Sequence, residues 1–252
     1  MNIKELQRNW NTFGKQDPLW AIITRADKKG KKWDLDEFFK TGDRKIHQLF
    51  DMLREQKIKV NKGSALDFGC GVGRLTLALA SHFQQVNGVD IAESMIELAN
   101  RYNKYPERCK YFVNTKDDLS LFSERSFDFI YTVIVLQHMR QEYAKSYIAE
   151  FVRLLKPSGV AVFQMPAKYI GPPQQATKQS LFQRVTVKLK QMLKPLIKLI
   201  LPERAHMEMY GIEHDEMVSY LKQLGVVVAD VRKDDSPGPL WESYQYTIIK
   251  TA

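Results

Sequence analysis

The sequence predicts an α/β protein built on a parallel sheet, and three observations carry that expectation. From Gly63 to Met165 short apolar runs alternate with helical patterns of about ten residues, which is the rhythm of βαβ units. The run Phe127–Val135 is apolar almost throughout, as a strand buried on both faces requires. The chain has 252 residues, 44% hydrophobic and 27% charged, enough for one large domain with appendages and too apolar for a disordered one.

In chain order, Ile3, Leu6, Trp10 and Phe13 recur at helical spacing, and Gly14 with Asp17-Pro18 closes that helix. Pro18 opens a short second helix through Ile22, and a longer pattern runs from Asp34 to about Gln56. Thr41-Gly42 is expected to interrupt it and start a new helix. Strands are expected at 64–68, 85–90, 110–114, 127–135 and 160–165, with helices at 74–82, 94–103 and 142–155. Lys156-Pro157-Ser158-Gly159 reads as a turn. A helix at 213–224 and strands near 226–231 and 244–250 complete the chain. The expected organisation is a helical cover (1–60), a core (61–166), a basic insertion (167–210) and a C-terminal completion of the core (211–252).

Charge and cysteine content narrow the function. Two cysteines, Cys70 and Cys109, supply neither a disulfide framework nor a four-thiolate metal site, and the acidic pairs Asp117-Asp118 and Asp234-Asp235 lack a third ligand. The first residues carry no apolar signal region, and no uncharged apolar run reaches the roughly 18 residues of a membrane span. A cytoplasmic, reducing compartment is the expectation. Of the net charge of +9, the segment from Ala167 to His206 contributes +7, so the basicity belongs to one element. A nucleic-acid binder would spread it over a face, and no nucleic-acid partner is expected.

The most informative string is Ala65-Leu66-Asp67-Phe68-Gly69-Cys70-Gly71-Val72-Gly73-Arg74-Leu75. A strand runs into three alternate glycines and then a helix, a bend that brings backbone close to a ligand. It departs from the dinucleotide fingerprint at Thr76, where Gly or Ala is usual, and at Asp67, where an apolar residue is usual. A carboxylate at Asp67 suits a ligand with an amino group beside the loop. Asp90 ends the second strand 19 residues after Gly71, where an acid can accept both hydroxyls of a ribose. The competing reading is that Asp90 caps the next helix.

These strings, with Gly88-Val89-Asp90, Ser126-Phe127-Asp128-Phe129-Ile130, Val135-Leu136-Gln137-His138 and Arg153-Leu154-Leu155-Lys156-Pro157-Ser158-Gly159, resemble the class I S-adenosylmethionine-dependent methyltransferases of the small-molecule branch. The resemblance implies a Rossmann-like seven-stranded sheet with an antiparallel last strand, and S-adenosylmethionine as cofactor with S-adenosylhomocysteine as product. It implies that Asp67, Gly69 and Gly71 shape the pocket for the methionine moiety, with Cys70, Gly73 and Arg74 also among the cofactor-binding residues. Asp90 would hold the ribose, and Ile91 and Met95 would pack on adenine. Lys116, Asp117 and Leu119 lie where the family contacts adenine, though the usual Asp-Ala pair is missing. Val133 to Gln137 would line the cofactor near its sulfonium, and Thr41-Gly42 would belong to the cofactor cover. Asp128 in this family supports the sheet, and Cys70 reads as a small packing residue.

A sulfonium methyl is already electrophilic, so the protein's contribution is alignment, exclusion of water and, for a hydroxyl acceptor, a base. His138 follows the fourth strand at its ligand-binding end and is the candidate base, against the reading that it only packs or caps. His206 and His214 are outside candidates. Trp10, Trp20, Trp33, Phe38 and Phe39 either wall an apolar acceptor pocket or pack the N-terminal helices; Trp241 and Tyr244 carry the same two readings. The expected activity is methyl transfer to a small-molecule acceptor, with oxygen preferred and an apolar or lipid-like acceptor in view. A nucleic-acid methyltransferase, a nicotinamide oxidoreductase and a non-catalytic cofactor-binding or membrane-associated subunit are the alternatives.

Residues 181–201 form an amphipathic pattern. Phe182, Val185, Leu189, Met192, Leu193, Leu196, Leu199 and Ile200 share an arc of about 120°, opposite Arg184, Lys188, Lys190, Lys194 and Lys198. Pro195 divides the helix. The segment reads as a lid over the site or as a peripheral contact with an anionic membrane, at about 1 kcal/mol per surface lysine.

Overall fold

A computed structural model describes residues 1–172 and 205–251, so the amphipathic segment 181–201 lies outside the described residues. Helix α1 (Ile3–Gln16) opens on a reciprocal cap in which the Asn2 side chain accepts the Glu5 N–H and the Glu5 carboxylate accepts the Asn2 N–H. Pro18 sits in the first turn of α2 (Pro18–Ile22), where its missing N–H costs nothing. Helix α3 (Leu35–Glu55), capped by Asp34, runs unbroken through Thr41-Gly42, which corrects the expected interruption. Glycine is there for packing: a Cβ at Gly42 would stand 2.5 Å from the Arg74 carbonyl oxygen.

The sheet is built in the expected alternation. Its elements are β1 (Ser64–Phe68), α4 (Arg74–Leu79), β2 (Gln85–Asp90), α5 (Glu93–Tyr102), β3 (Cys109–Val113), β4 (Phe127–Thr132), α6 (Gln141–Leu154), β5 (Leu155–Tyr169), α7 (His214–Gln223), β6 (Val226–Lys233) and β7 (Trp241–Lys250). The seven strands lie in the order β3-β2-β1-β4-β5-β7-β6, and β7 is antiparallel to both its neighbours. The order reverses between β1 and β4, and the crevice beyond their carboxyl ends is where such sheets hold ligands.

Three boundaries differ from expectation for local reasons. Strand β4 ends at Thr132 because Ile134 adopts φ +60° and turns the chain out of the ladder. The expected turn at 156–159 is a bulge within a longer β5: Ser158 takes φ +61° and the register with β4 shifts between Phe127 and Phe129. Helix α4 stops at Leu79, and the next residues tighten into a turn in which the His82 N–H donates to the Leu79 carbonyl.

Alternation along the strands splits the core into two layers. Leu66, Phe68, Ile130 and Phe163 pack with Ile148, Phe151 and Leu154 of α6. Ala65, Phe129, Tyr131 and Val162 pack with Ile46, Leu49 and Leu53 of α3 and Leu79 of α4. Asp128 ties the sheet's lower edge, accepting the Ser64 N–H at 2.8 Å and the Lys156 ammonium at 2.7 Å. A third cluster of Ala21, Trp33, Phe38, Val72, Ala92 and Met95 joins the N-terminal helices to the loops after β1 and β2. That cluster seats the cover over the crevice. No helix among the described residues is long and apolar enough to cross a membrane.

Candidate functional site

A cleft enclosing about 950 Å³ of space, the open solvent at its mouth included, lies beyond the carboxyl ends of β1, β2 and β4. Its floor is the glycine loop, with Gly69, Cys70, Gly71, Arg74 and Leu75. Val89, Asp90, Ile91 and Met95 close one side, and Val133, Ile134, Val135, His138 and Met139 the other. Leu6 and Trp10 of α1 and Ala21 and Ile22 of α2 roof it, and Asn114 and Tyr147 stand at the far end.

The loop takes its shape from backbone conformations that other residues resist. Gly69 and Gly71 have φ +74° and +53°. A Cβ on Gly69 would strike Val135, and one on Gly71 would reach 2.6 Å from Ile22. Val89 pins the bend, because its carbonyl accepts the N–H groups of Gly69 (2.8 Å) and Cys70 (3.0 Å). Gly73, left-handed at φ +83°, caps α4 and packs on Tyr111 rather than on the cavity.

Asp90 combines both readings of its sequence position. Its Oδ2 accepts the Gly71 N–H at 2.9 Å and its Oδ1 accepts the Ala92 N–H at 2.8 Å, so it ties the loop to the start of α5. It also lines the cavity, with lone pairs left for further donors. Burial raises its pKa, against the bonds from Ala92 and Gly71. Asp67 instead lies behind the loop, 1% exposed, and accepts the Thr76 hydroxyl at 2.6 Å. Burial pushes its pKa up to about 6, against the Thr76 bond. Cys70 stays a thiol, since burial and then the Asp90 and Asp67 charges raise its pKa well above the ordinary value.

His138 is 6% exposed, on the cavity wall beside Trp10, whose ring centroid is 5.3 Å away. Its Nδ1 lies 2.9 Å from the Glu208 carbonyl oxygen. A carbonyl only accepts, so Nδ1 carries the proton and Nε2 keeps its lone pair. The Gln137 amide nitrogen approaches Nε2 at 3.4 Å, and burial lowers the ring's pKa, opposed by the Glu208 bond.

Other sequence candidates stand outside the wall. Thr41 reaches it only through Arg74, whose Nη1 donates to Thr41 Oγ1 at 3.3 Å, and Gly42 packs against the Arg74 backbone. Lys116 and Asp117 lie in the loop after β3, and Leu119 is fully buried in the core. Asn114 organises that loop, its amide donating to the carbonyls of Asp118 (2.7 Å) and Lys116 (3.3 Å). Gln137 is 2% exposed beside His138 and does not line the cavity. Trp20, Trp33, Phe38 and Phe39 also lie off the wall, so Trp10 alone of the flagged N-terminal aromatics reaches it. His206 contacts Glu208, and His214 packs on Tyr244 and Tyr246. Trp241 lines a separate open cleft. Sequence reasoning missed Asn114, Tyr147, Leu6 and Ile22 as wall residues; the signal for Asn114 was its place one residue past β3.

Comparison with known families matches residues 65–159 to a methyltransferase domain. Thiocyanate methyltransferase 1 of Arabidopsis thaliana is 31% identical over 132 residues, covering 50% of this chain and 56% of that protein. Ubiquinone biosynthesis O-methyltransferase of Rickettsia typhi is 27% identical over 119 residues, covering 47% of each. The chain thus spans about half the length of the curated relatives it matches. Among solved structures, magnesium protoporphyrin IX methyltransferase of Synechocystis PCC 6803 with bound S-adenosylhomocysteine superposes with a TM-score of 0.63, at 17% identity and 99% coverage of both chains.

The residues present fit a sulfonium nucleoside. Left-handed Gly69 and Gly71 bring bare backbone to the cavity where no side chain has room, Asp90 offers acceptors to a ribose, and Ile91 and Met95 offer apolar faces to a base. Asp67 sits behind the bend, off the cavity wall, with its Oδ2 bonded to the Thr76 hydroxyl. Residues 65–159 of the chain carry a methyltransferase domain, set in a seven-stranded sheet with an antiparallel β7.

Proposed function

We propose that this protein transfers the methyl group of S-adenosylmethionine to a hydroxyl oxygen of a small, largely apolar acceptor, with His138 as the base. The observation that carries the reading is the His138 geometry: Nδ1 lies 2.9 Å from the Glu208 carbonyl, to which it donates, burial lowers the ring's pKa, and Nε2, approached by the Gln137 amide at 3.4 Å, is the nitrogen that would take a proton. S-adenosylmethionine supplies the electrophilic methyl group when bound. Trp10, Leu6, Val135 and Met139 surround this end of the cavity and exclude water from it. They offer an acceptor apolar contact and few polar partners, which supports a hydrophobic molecule with one reacting hydroxyl. O-methyl transfer is also the activity in the name of the Rickettsia typhi relative. Asp90 is assigned the ribose, Ile91 and Met95 the adenine, Val133 the neighbourhood of the sulfonium, and Asn114 the far end of the base.

The test is a methyl-transfer screen over phenols, fatty acids, sugars and amines, followed by His138→Gln on the best acceptor. The expected loss in kcat is about 10²–10⁴-fold. Because burial lowers the His138 pKa, the wild-type rate should stay level down to the ordinary histidine range and fall only below it. A His138→Gln enzyme with the wild-type rate and pH profile on a hydroxyl acceptor refutes the base assignment. Contact of segment 181–201 with anionic membrane rests on its sequence alone; vesicle co-sedimentation of the full chain and of a 181–201 deletion at low salt tests it.

A further inference from the structure

The stretch 206–212 runs beside His138 and is fastened on both sides of Glu208. Met207 packs on the cluster that seats the cover. The Ile212 N–H donates to the Pro166 carbonyl at 2.9 Å, the Gly211 carbonyl accepts the Gln141 amide at 2.5 Å, and Ile212 is fully buried in the core. Glu208 and Tyr210 stand as residues two apart in a strand do, with backbone groups turned to one neighbour and side chains on a common face. The Glu208 carbonyl takes the His138 Nδ1–H at 2.9 Å, and the Tyr210 N–H donates to the Gln137 carbonyl at 2.8 Å. On the other face the Tyr210 hydroxyl donates to Glu208 Oε2, which also accepts a bond from the Met1 nitrogen at 3.0 Å. Glu208 Oε1 lies 3.3 Å from His206 Nε2.

Which imidazole nitrogen carries the proton is set by the hydrogen bond its other nitrogen makes. A backbone carbonyl can impose that choice only while its own peptide is held in orientation. Here the hold comes from the side chain of the same residue, because bonds to a charged acceptor are the stronger ones and the Glu208 carboxylate collects its donors on the face away from the ring. Among the described residues, the Gln137 amide nitrogen at 3.4 Å is the other polar group on the imidazole, and it sits at Nε2. We propose that Glu208 is a positioning residue for His138: its carboxylate, tied to Tyr210, clasps the 208 carbonyl against the imidazole, keeps Nδ1 protonated and leaves Nε2 as the nitrogen that takes a proton. The proposal rests on the reading that His138 is the base. It gives the stretch after the basic insertion a part in the reaction without any contact with donor or acceptor.

Side-chain NMR on the full chain, labelled with nitrogen-15 histidine, reads the tautomer without reference to activity. The chain has five histidines, and His138→Gln identifies the His138 signals by their loss. The wild type should show His138 protonated at Nδ1 alone. In Glu208→Ala the Nε2–H form should appear, and kcat on the best hydroxyl acceptor of the screen should fall about tenfold, with KM and S-adenosylhomocysteine affinity within about threefold of wild type. Glu208→Gln, whose amide oxygen still accepts from Tyr210, should recover most of the rate and of the Nδ1–H signal. A His138 that stays protonated at Nδ1 in Glu208→Ala overturns the proposal. So does a loss of S-adenosylhomocysteine affinity as large as the loss in kcat, which would mark a role in the cover alone. A shifted tautomer with wild-type kcat overturns it from the other side: the clasp is real, and the base assignment beneath it falls.

Discussion

Replacing Asp90 by alanine separates a pocket carboxylate from a mere helix cap. The acid stands at the cavity edge and accepts two backbone N–H groups, from Gly71 at 2.9 Å and Ala92 at 2.8 Å. In the proposed complex it also accepts two ribose hydroxyls. Hydrogen bonds to a charged group contribute about 1.5–3 kcal/mol each, so the lower figure for two gives about 3 kcal/mol, or roughly a hundredfold in affinity. The backbone bonds are lost as well, which releases Gly71 and lowers global stability by about 1–3 kcal/mol. Calorimetry with S-adenosylhomocysteine, beside a urea melt of the apo protein, reads the two effects separately. A stability loss with affinity within threefold of wild type would show that Asp90 only caps α5, and the ribose assignment would fall.

Two further outcomes follow from groups behind and within the loop. The Asp67 carboxyl is raised to about 6, so the fold holds its proton more tightly than the unfolded chain does. Its contribution to stability is complete below the unfolded value near 3.8 and is lost as pH rises through about 6. Asp67→Asn cannot ionise, so its stability relative to wild type should improve by up to about 3 kcal/mol between pH 3.5 and 7.5 in urea melts; a pH-independent difference contradicts the burial argument. Gly71→Ala forces a side chain onto φ +53° and against Ile22, at a cost of about 1–2 kcal/mol in backbone strain. Its S-adenosylhomocysteine affinity should drop tenfold or more, with partial recovery in Gly71→Ala/Ile22→Ala; unchanged affinity in the single variant refutes the cradle.

Much of the site was legible because its signals are local. Gly69, Gly71, Asp90 and His138 each sit at a fixed distance from a strand end, and strand ends are where the sheet presents residues to a ligand. Arg74, as the first residue after the loop, came with them. The roof was less legible. Trp10 reaches the cavity while Trp20 and Trp33 do not, and that choice depends on how α1 and α2 lie across the loops, which spacing along the chain does not encode. Thr41-Gly42 shows the same limit in reverse. Helix propensity argues for a break at glycine, but packing of α3 on α4 outweighs the roughly 1 kcal/mol that glycine costs in a helix. Lys116, Asp117 and Leu119 were expected at the adenine because the family pattern lies there; Asn114, one residue past β3, is the one the cavity meets.

The left-handed turn at Ile134 reaches further than its own loop. A β-branched residue there is strained, and the strain is held by a relay: the Ile134 N–H donates to Gln164 Oε1 at 3.0 Å, and the Gln164 amide donates to the Ser243 hydroxyl at 2.8 Å. Gln164 and Ser243 both lie beyond residue 159, where the recognised domain ends. A fragment trimmed to 65–159 would therefore keep the glycines and Asp90 but let the Val135–His138 loop relax. Transplanting this chemistry into another scaffold means carrying the last antiparallel strand along with it.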